Sequence, residues 1–226
     1  MQDDTSSTRS CIVNLANLPM LSRLMLVTDR NAMRPDFMSA IVAALEGGAR
    51  LIQLREKDLP RDELWALSIE ASNICRSYGG VLLISSDEHL ARIANAGVHW
   101  PEKHLDDLSE YSKNLLSGAS VHSVKNAQSA EKAGADYLVF GTVFTTTSHP
   151  DETPAGTEKL REVVANVSIP VYAIGGIDND SIRACLETGA HGVAVRSAVW
   201  KARDVNRKVE ELLGIIETSA FQPGCF

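Results

Sequence analysis

Eight short apolar runs alternate with longer amphipathic stretches along this chain, and that alternation leaves few folds open. The runs are Leu24–Thr28, Leu51–Arg55, Val81–Ser85, Gly97–Trp100, Ala119–His122, Tyr137–Gly141, Val171–Gly175 and Gly192–Val195. They are nearly continuous in Val, Ile and Leu, as strands buried on both faces must be. The stretches between them carry apolar residues at three- and four-residue spacing, the period of a helix with one buried face. They are Phe37–Glu46, Arg61–Tyr78, Asp87–Asn95, Lys125–Ala133, Thr157–Val167, Asp178–Glu187 and Val205–Glu217. Gly47-Gly48, Ala96-Gly97, Gly134 and Gly189 sit where each helix must turn back, and glycine takes the positive φ of that turn without a steric penalty. Strand–helix units repeated in this way predict an α/β chain folded as a single (β/α)8 barrel. An open doubly wound sheet competes, but its first strand–helix turn requires G-x-G-x-x-G, and this chain has Thr28-Asp29-Arg30 there. The barrel is expected over residues 21–217, with an N-terminal extension over 1–20 and a tail over 218–226.

At 226 residues and 44% hydrophobic, the chain suits one sizeable domain. Its formal net charge of −7 argues against nucleic acid and anionic membranes as partners, since both want a basic face. Cys11, Cys75, Cys185 and Cys225 are far apart and form no C-x-x-C pair, the usage of a reducing, cytoplasmic location. Near the N-terminus, Asp3 and Asp4 precede a segment interrupted by Asn14, Asn17, Ser22 and Arg23, which reads against a secretory signal. No apolar stretch has the length of a membrane span.

In a barrel of this kind the functional groups come from the C-terminal ends of the strands. The second strand ends in Gln53, Arg55 and Lys57, alternate residues that share one side of the chain. Two cations and an amide there suit an anion; the competing reading is a salt bridge of Arg55 or Lys57 with Glu56. The fifth strand ends in Ser120-Val121-His122-Ser123, and the imidazole of His122 can carry a proton either way. Ser120 or Ser123 could orient it. After the sixth strand comes a hydroxyl-rich loop that includes Thr146, Ser148 and His149. The seventh ends in Gly175-Gly176 and the eighth in Val195-Arg196-Ser197, small or cationic ends that together suit a phosphate. Arg196 either adds a cation to that phosphate or pairs with an acid outside it. His99 and Trp100 end the fourth strand. His99 reads as barrel filling; Trp100 either lines the pocket and stacks on a ligand ring or also fills the barrel. His191 reads as structural, at the barrel bottom.

Taken jointly, Gln53-Leu54-Arg55-Glu56-Lys57, Gly97-Val98-His99, Ser120-Val121-His122-Ser123, Gly134-Ala135-Asp136-Tyr137, Phe140-Gly141-Thr142-Val143-Phe144 and Ala173-Ile174-Gly175-Gly176-Ile177 resemble the thiamine-phosphate-synthase/TenI family. The resemblance runs from about Leu24 to Glu217. It implies a barrel that binds thiazole phosphate, with Thr146, Ser148, Gly175, Gly176, Val195 and Ser197 as the phosphate cradle. Synthases of the family join an aminopyrimidine pyrophosphate to thiazole phosphate and expel pyrophosphate with help from Mg²⁺. Their Asn-Asp metal ligands fall here on serines, in Ile84-Ser85-Ser86-Asp87, and no carboxylate aligns within Trp100-Pro101-Glu102-Lys103-His104. A metal site would have to be rebuilt from Asp87 or Glu102. Where synthases carry a loop lysine, this chain has His149.

Those departures resemble the TenI branch, whose reading is a metal-independent thiazole tautomerase with His122 as acid and base. That is the leading expectation, with no metal and no cofactor. Two alternatives stand beside it. One is a thiamine phosphate synthase, toward which the complete Gln53–Lys57 motif leans and for which alone Mg²⁺ is implied. The other is a non-catalytic regulator that binds thiazole or thiamine phosphate. The resemblance also makes a homodimer the assembly to test.

Overall fold

The computed structural model describes residues 21–105, 108, 114–146 and 153–220. Eight parallel strands close on themselves in chain order: β1 (Leu24–Val27), β2 (Leu51–Leu54), β3 (Val81–Ser85), β4 (Gly97–Trp100), β5 (Ser117–Val121), β6 (Tyr137–Phe140), β7 (Val171–Ile174) and β8 (Gly192–Val195). The pairing of Met25 with Ala194 completes the ring, so the fold is the expected (β/α)8 barrel and not an open sheet. Around it lie α1 (Phe37–Glu46), α2 (Arg61–Ser77), α3 (Glu88–Ile93), α4 (Val124–Lys132), α5 (Gly156–Ala165), α6 (Asn179–Leu186), α7 (Ser197–Trp200) and α8 (Val205–Ala220). A 3-10 turn over Glu102–His104 follows β4. That turn and α7 are too short to carry a periodic signal, and the sequence pattern did not foretell them. Helix α8 continues through 218–220, so the segment expected as a tail begins inside it.

Alternation along each strand builds two apolar layers. Leu24, Leu26, Ile52, Leu54, Ile84, Val98 and Trp100 face the helices. Met25, Val27, Leu51, Leu83, Tyr137, Val139 and Tyr172 fill the bore. Trp100 is therefore turned outward, beside His104, and the pocket-lining alternative for it is wrong. Asp36, Asp87, Ser123 and Asp178 start helices by accepting the amides of Ser39, Leu90, Asn126 and Ser181. Gly48, Gly134 and Gly189 take the left-handed turns expected of them, with φ of 101°, 97° and 90°. At Ala96-Gly97 the expectation fails: Asn95 turns the chain, at φ 51°. Gly97 lies inside β4 instead, where a Cβ would stand 2.7 Å from the Leu116 carbonyl oxygen.

At the barrel bottom, His191 Nε2 meets the Leu21 carbonyl at 2.8 Å, and its ring packs edge-on to Tyr172. This is the structural role expected of His191. Cys75 and Cys185 are buried free thiols, and burial pushes both up to about 12. Among the described residues no helix is long and apolar enough to cross a membrane.

Candidate functional site

A cavity of about 500 Å³ opens at the C-terminal end of the strands, where this fold carries its chemistry. Gln53, Arg55, Ser120, His122, Thr146, Gly175, Gly176, Val195, Arg196 and Ser197 all line it. Residues far apart in the chain meet there because they lie at or beyond the C-terminal ends of five strands of one ring, β2, β5, β6, β7 and β8. Lys57 is not among the lining residues, and Ser148 and His149 lie outside the described residues.

One wall is cationic. Glu56 points away from the cavity: its carboxylate accepts the Thr28 hydroxyl at 2.6 Å and the Arg30 amide at 3.1 Å. Burial raises its pKa. The salt bridge considered for Arg55 or Lys57 with Glu56 therefore does not form, and among the described residues neither cation has an ion-pair partner. Burial first, then the Arg196 guanidinium, lowers the Arg55 pKa. Arg55 first, then burial, Lys103 and Arg196, lowers that of Lys57. Arg196 forms the acid pair considered for it and also faces the cavity. Its Nη2 pairs with Asp29 at 3.0 Å, yet it lines the cavity, and its buried Nε finds no hydrogen bond among the described residues.

The lining after β7 and β8 also offers backbone amides and a hydroxyl. Gly175 and Gly176 have φ of 101° and 65°. A Cβ on Gly176 would stand 2.4 Å from the Thr145 carbonyl oxygen, so only glycine permits this turn at this distance. Ser197 begins α7, which is pinned by Trp200: its buried indole N–H donates to the Val27 carbonyl at 2.7 Å.

His122 follows β5 directly, with its ring more than half exposed to the cavity mouth. Its Nδ1 lies 2.8 Å from Glu102 Oε2, and its amide donates to Oε1 at 2.8 Å. Asn126 Nδ2 donates to the same Oε1 at 2.8 Å. Burial pushes the Glu102 carboxyl up, but the bonds from Asn126 and His122 outweigh it and hold the group below its usual range. The orienting partner of His122 is therefore Glu102, and neither of the serines considered. Ser123 is occupied in capping α4, and Ser120 bonds His99. Glu102 was weighed only as a metal ligand. Strand order was the available signal: β4 and β5 are neighbours, so whatever follows them meets.

The metal ligands of a synthase do not fit here. Ser85 accepts Gln53 Nε2 at 2.9 Å, and Asp87 caps α3 through the Leu90 amide at 2.8 Å. Glu102 is committed to His122 and Asn126. No group of three or more His, Cys, Asp or Glu able to hold a metal ion occurs among the described residues.

A family model described as thiamine monophosphate synthase matches residues 24–199. The chain belongs to the thiamine-phosphate-synthase/TenI family. A thiamine-phosphate synthase of Pyrococcus furiosus is 40% identical over 89% of this chain and 98% of its own length. One from Pyrococcus horikoshii is 41% identical over 86% and 95%. Among solved structures, a thiamine phosphate pyrophosphorylase from Pyrococcus furiosus superposes with a TM-score of 0.80 at 39% identity. It covers 87% of this chain and 96% of that one. Family membership makes the chain an enzyme-family barrel of thiamine biosynthesis. The named relatives are synthases, which favours the transferase alternative over the tautomerase first expected.

Proposed function

We propose that this protein is a thiamine-phosphate synthase, joining an aminopyrimidine pyrophosphate to thiazole phosphate. The observation that carries the reading is that one cavity is lined both by a glycine turn and by the guanidinium groups of Arg55 and Arg196. The glycine turn at Gly175-Gly176 with Ser197 suits the thiazole's phosphate. Arg55, with Arg196 and Lys57 close enough to feel its charge and no ion pair to Arg55 or Lys57 among the described residues, suits a diphosphate. A tautomerase acting on one phosphorylated substrate needs only the first. In the reaction the thiazole nitrogen attacks the pyrimidine's methylene carbon. The bond from that carbon to the diphosphate oxygen breaks, and the diphosphate leaves with the electron pair. Preorganised cations stabilise charge that develops on a leaving group, and here they are guanidinium and ammonium groups of the chain itself; no step is assigned to a metal. The names of the relatives at 40% identity support the same reading.

The test is thiamine phosphate formation from the two substrates, with Mg²⁺ and again with chelator. Product in either condition supports the synthase, and product surviving chelation supports the reading of the cation wall. No product from folded protein removes the synthase.

The His122–Glu102 pair favours a second reading. A carboxylate on Nδ1 fixes the ring so that Nε2 can take and return a proton, which is the requirement of the thiazole tautomerase. Under that reading His122→Asn abolishes tautomer conversion; unchanged conversion ends it.

A further inference from the structure

A line of three side chains that neither reaction reading uses runs down from the cavity floor, where His99 lines the cavity rather than only filling the barrel as expected. Tyr137 of β6 is fully buried in the bore, and His99 of β4 is 3% exposed. The Tyr137 hydroxyl lies 3.0 Å from His99 Nδ1, and His99 Nε2 lies 2.9 Å from the Ser120 hydroxyl. Ser120 in turn lines the cavity. Strands β4 and β6 are not neighbours; β5 stands between them. Gly118 of β5 is in register with both His99 and Tyr137. A Cβ there would sit 2.1 Å from the Tyr137 ring, so the missing side chain is the window through which tyrosine reaches histidine.

Hydrogen counting gives the line a direction. A buried phenol must donate its proton or leave it unsatisfied, at a cost of about 1–3 kcal/mol. Among the described residues His99 Nδ1 is the only hydrogen-bond partner of the Tyr137 hydroxyl, so Nδ1 accepts. Burial first, then Arg55, pushes His99 down to about 3, so the ring is neutral and carries its one proton on Nε2. Nε2–H then donates to Ser120 Oγ. The serine's own hydrogen has to point elsewhere, and the open direction is the cavity.

We propose that Tyr137 and His99 are positioning residues that fix Ser120 as a hydrogen-bond donor toward the substrate. The ligand must then present an acceptor at that point: an unprotonated ring nitrogen or an anionic oxygen, not an N–H. In the reverse arrangement Nδ1–H would face a phenol whose proton has no acceptor, and Ser120 would spend its hydrogen on Nε2. The proposal rests on this cavity being the active site, and not on which of the two reactions runs there.

The first readout needs no ligand. In the full chain labelled with ¹⁵N-histidine, the His99 signals should show the proton on Nε2 from neutral pH down to pH ~5, well above the depressed pKa. A proton on Nδ1 overturns the proposal. The second readout is calorimetric binding of thiazole phosphate. Ser120→Ala should weaken it about five- to tenfold, the value of one hydrogen bond of about 1 kcal/mol. Tyr137→Phe should weaken it comparably and let the His99 tautomers mix, while the double variant binds no worse than Ser120→Ala alone. Additive losses overturn the proposal. If the wild-type protein fails to bind thiazole phosphate, the function proposed above falls, and the tautomer still decides this inference.

Discussion

Acidification should destabilise this barrel through one residue, and the size of the effect follows from where His99 sits. In the fold its ring is enclosed by β-strands, hydrogen-bonded on both nitrogens and close enough to Arg55 to feel its charge. Burial first, then the Arg55 charge, pushes its pKa down to about 3 from the ordinary 6.5. The folded state therefore refuses a proton that the unfolded chain accepts. Stability from this residue is fully present above the unfolded value and is lost as pH falls through the window between 6.5 and 3. At pH ~5 the loss is RT ln(1 + 10^1.5), about 2 kcal/mol, or roughly 30-fold in the folding equilibrium. Urea unfolding at pH 7 and 5, on the wild type and on His99→Gln, isolates it. Glutamine does not titrate, so every other group cancels in the difference. The variant should lose about 2 kcal/mol less than the wild type between the two conditions. Equal losses in both proteins would refute the reasoning, because His99 would then be protonated as readily folded as unfolded.

Gly118→Ala should unfold the protein at markedly lower denaturant, since the new methyl collides with the Tyr137 ring; overpacking of this kind costs about 1–3 kcal/mol or more. Gly176→Ala meets a backbone oxygen at 2.4 Å and a φ of 65°, so thiazole phosphate affinity should fall at least tenfold, on the order of 1.4 kcal/mol; affinity within twofold of wild type by calorimetry would show that the turn does not hold the phosphate. Glu102→Gln should free the His122 ring, visible as loss of its fixed Nδ1–H tautomer by ¹⁵N-histidine NMR. In the wild type that pairing should hold at neutral pH and be lost on acidification, because Glu102 is held below its usual range and the pair breaks only once its carboxylate takes a proton.

Much of this molecule is legible in one dimension. Strand burial on both faces makes continuous Val, Ile and Leu runs, and the ring order follows from their alternation with helices. Because a barrel gathers its strand ends, Arg55, Ser120, His122, Gly175 and Ser197 could be collected as one site without coordinates. The failures share a cause. Asn95 could replace glycine at a helix exit because asparagine also tolerates the left-handed region, while Gly97 was needed for close strand packing instead. The sequence by itself therefore determined the architecture and which residues reach the mouth of the barrel, since both depend on local period and order. What only the tertiary structure decided is pairing. Glu102 meets His122 twenty residues on, and His99 meets Tyr137 thirty-eight residues on, across a strand that carries no side chain at that level. Those partnerships depend on register between strands and on the direction of each side chain, which the closed ring sets and no local pattern records.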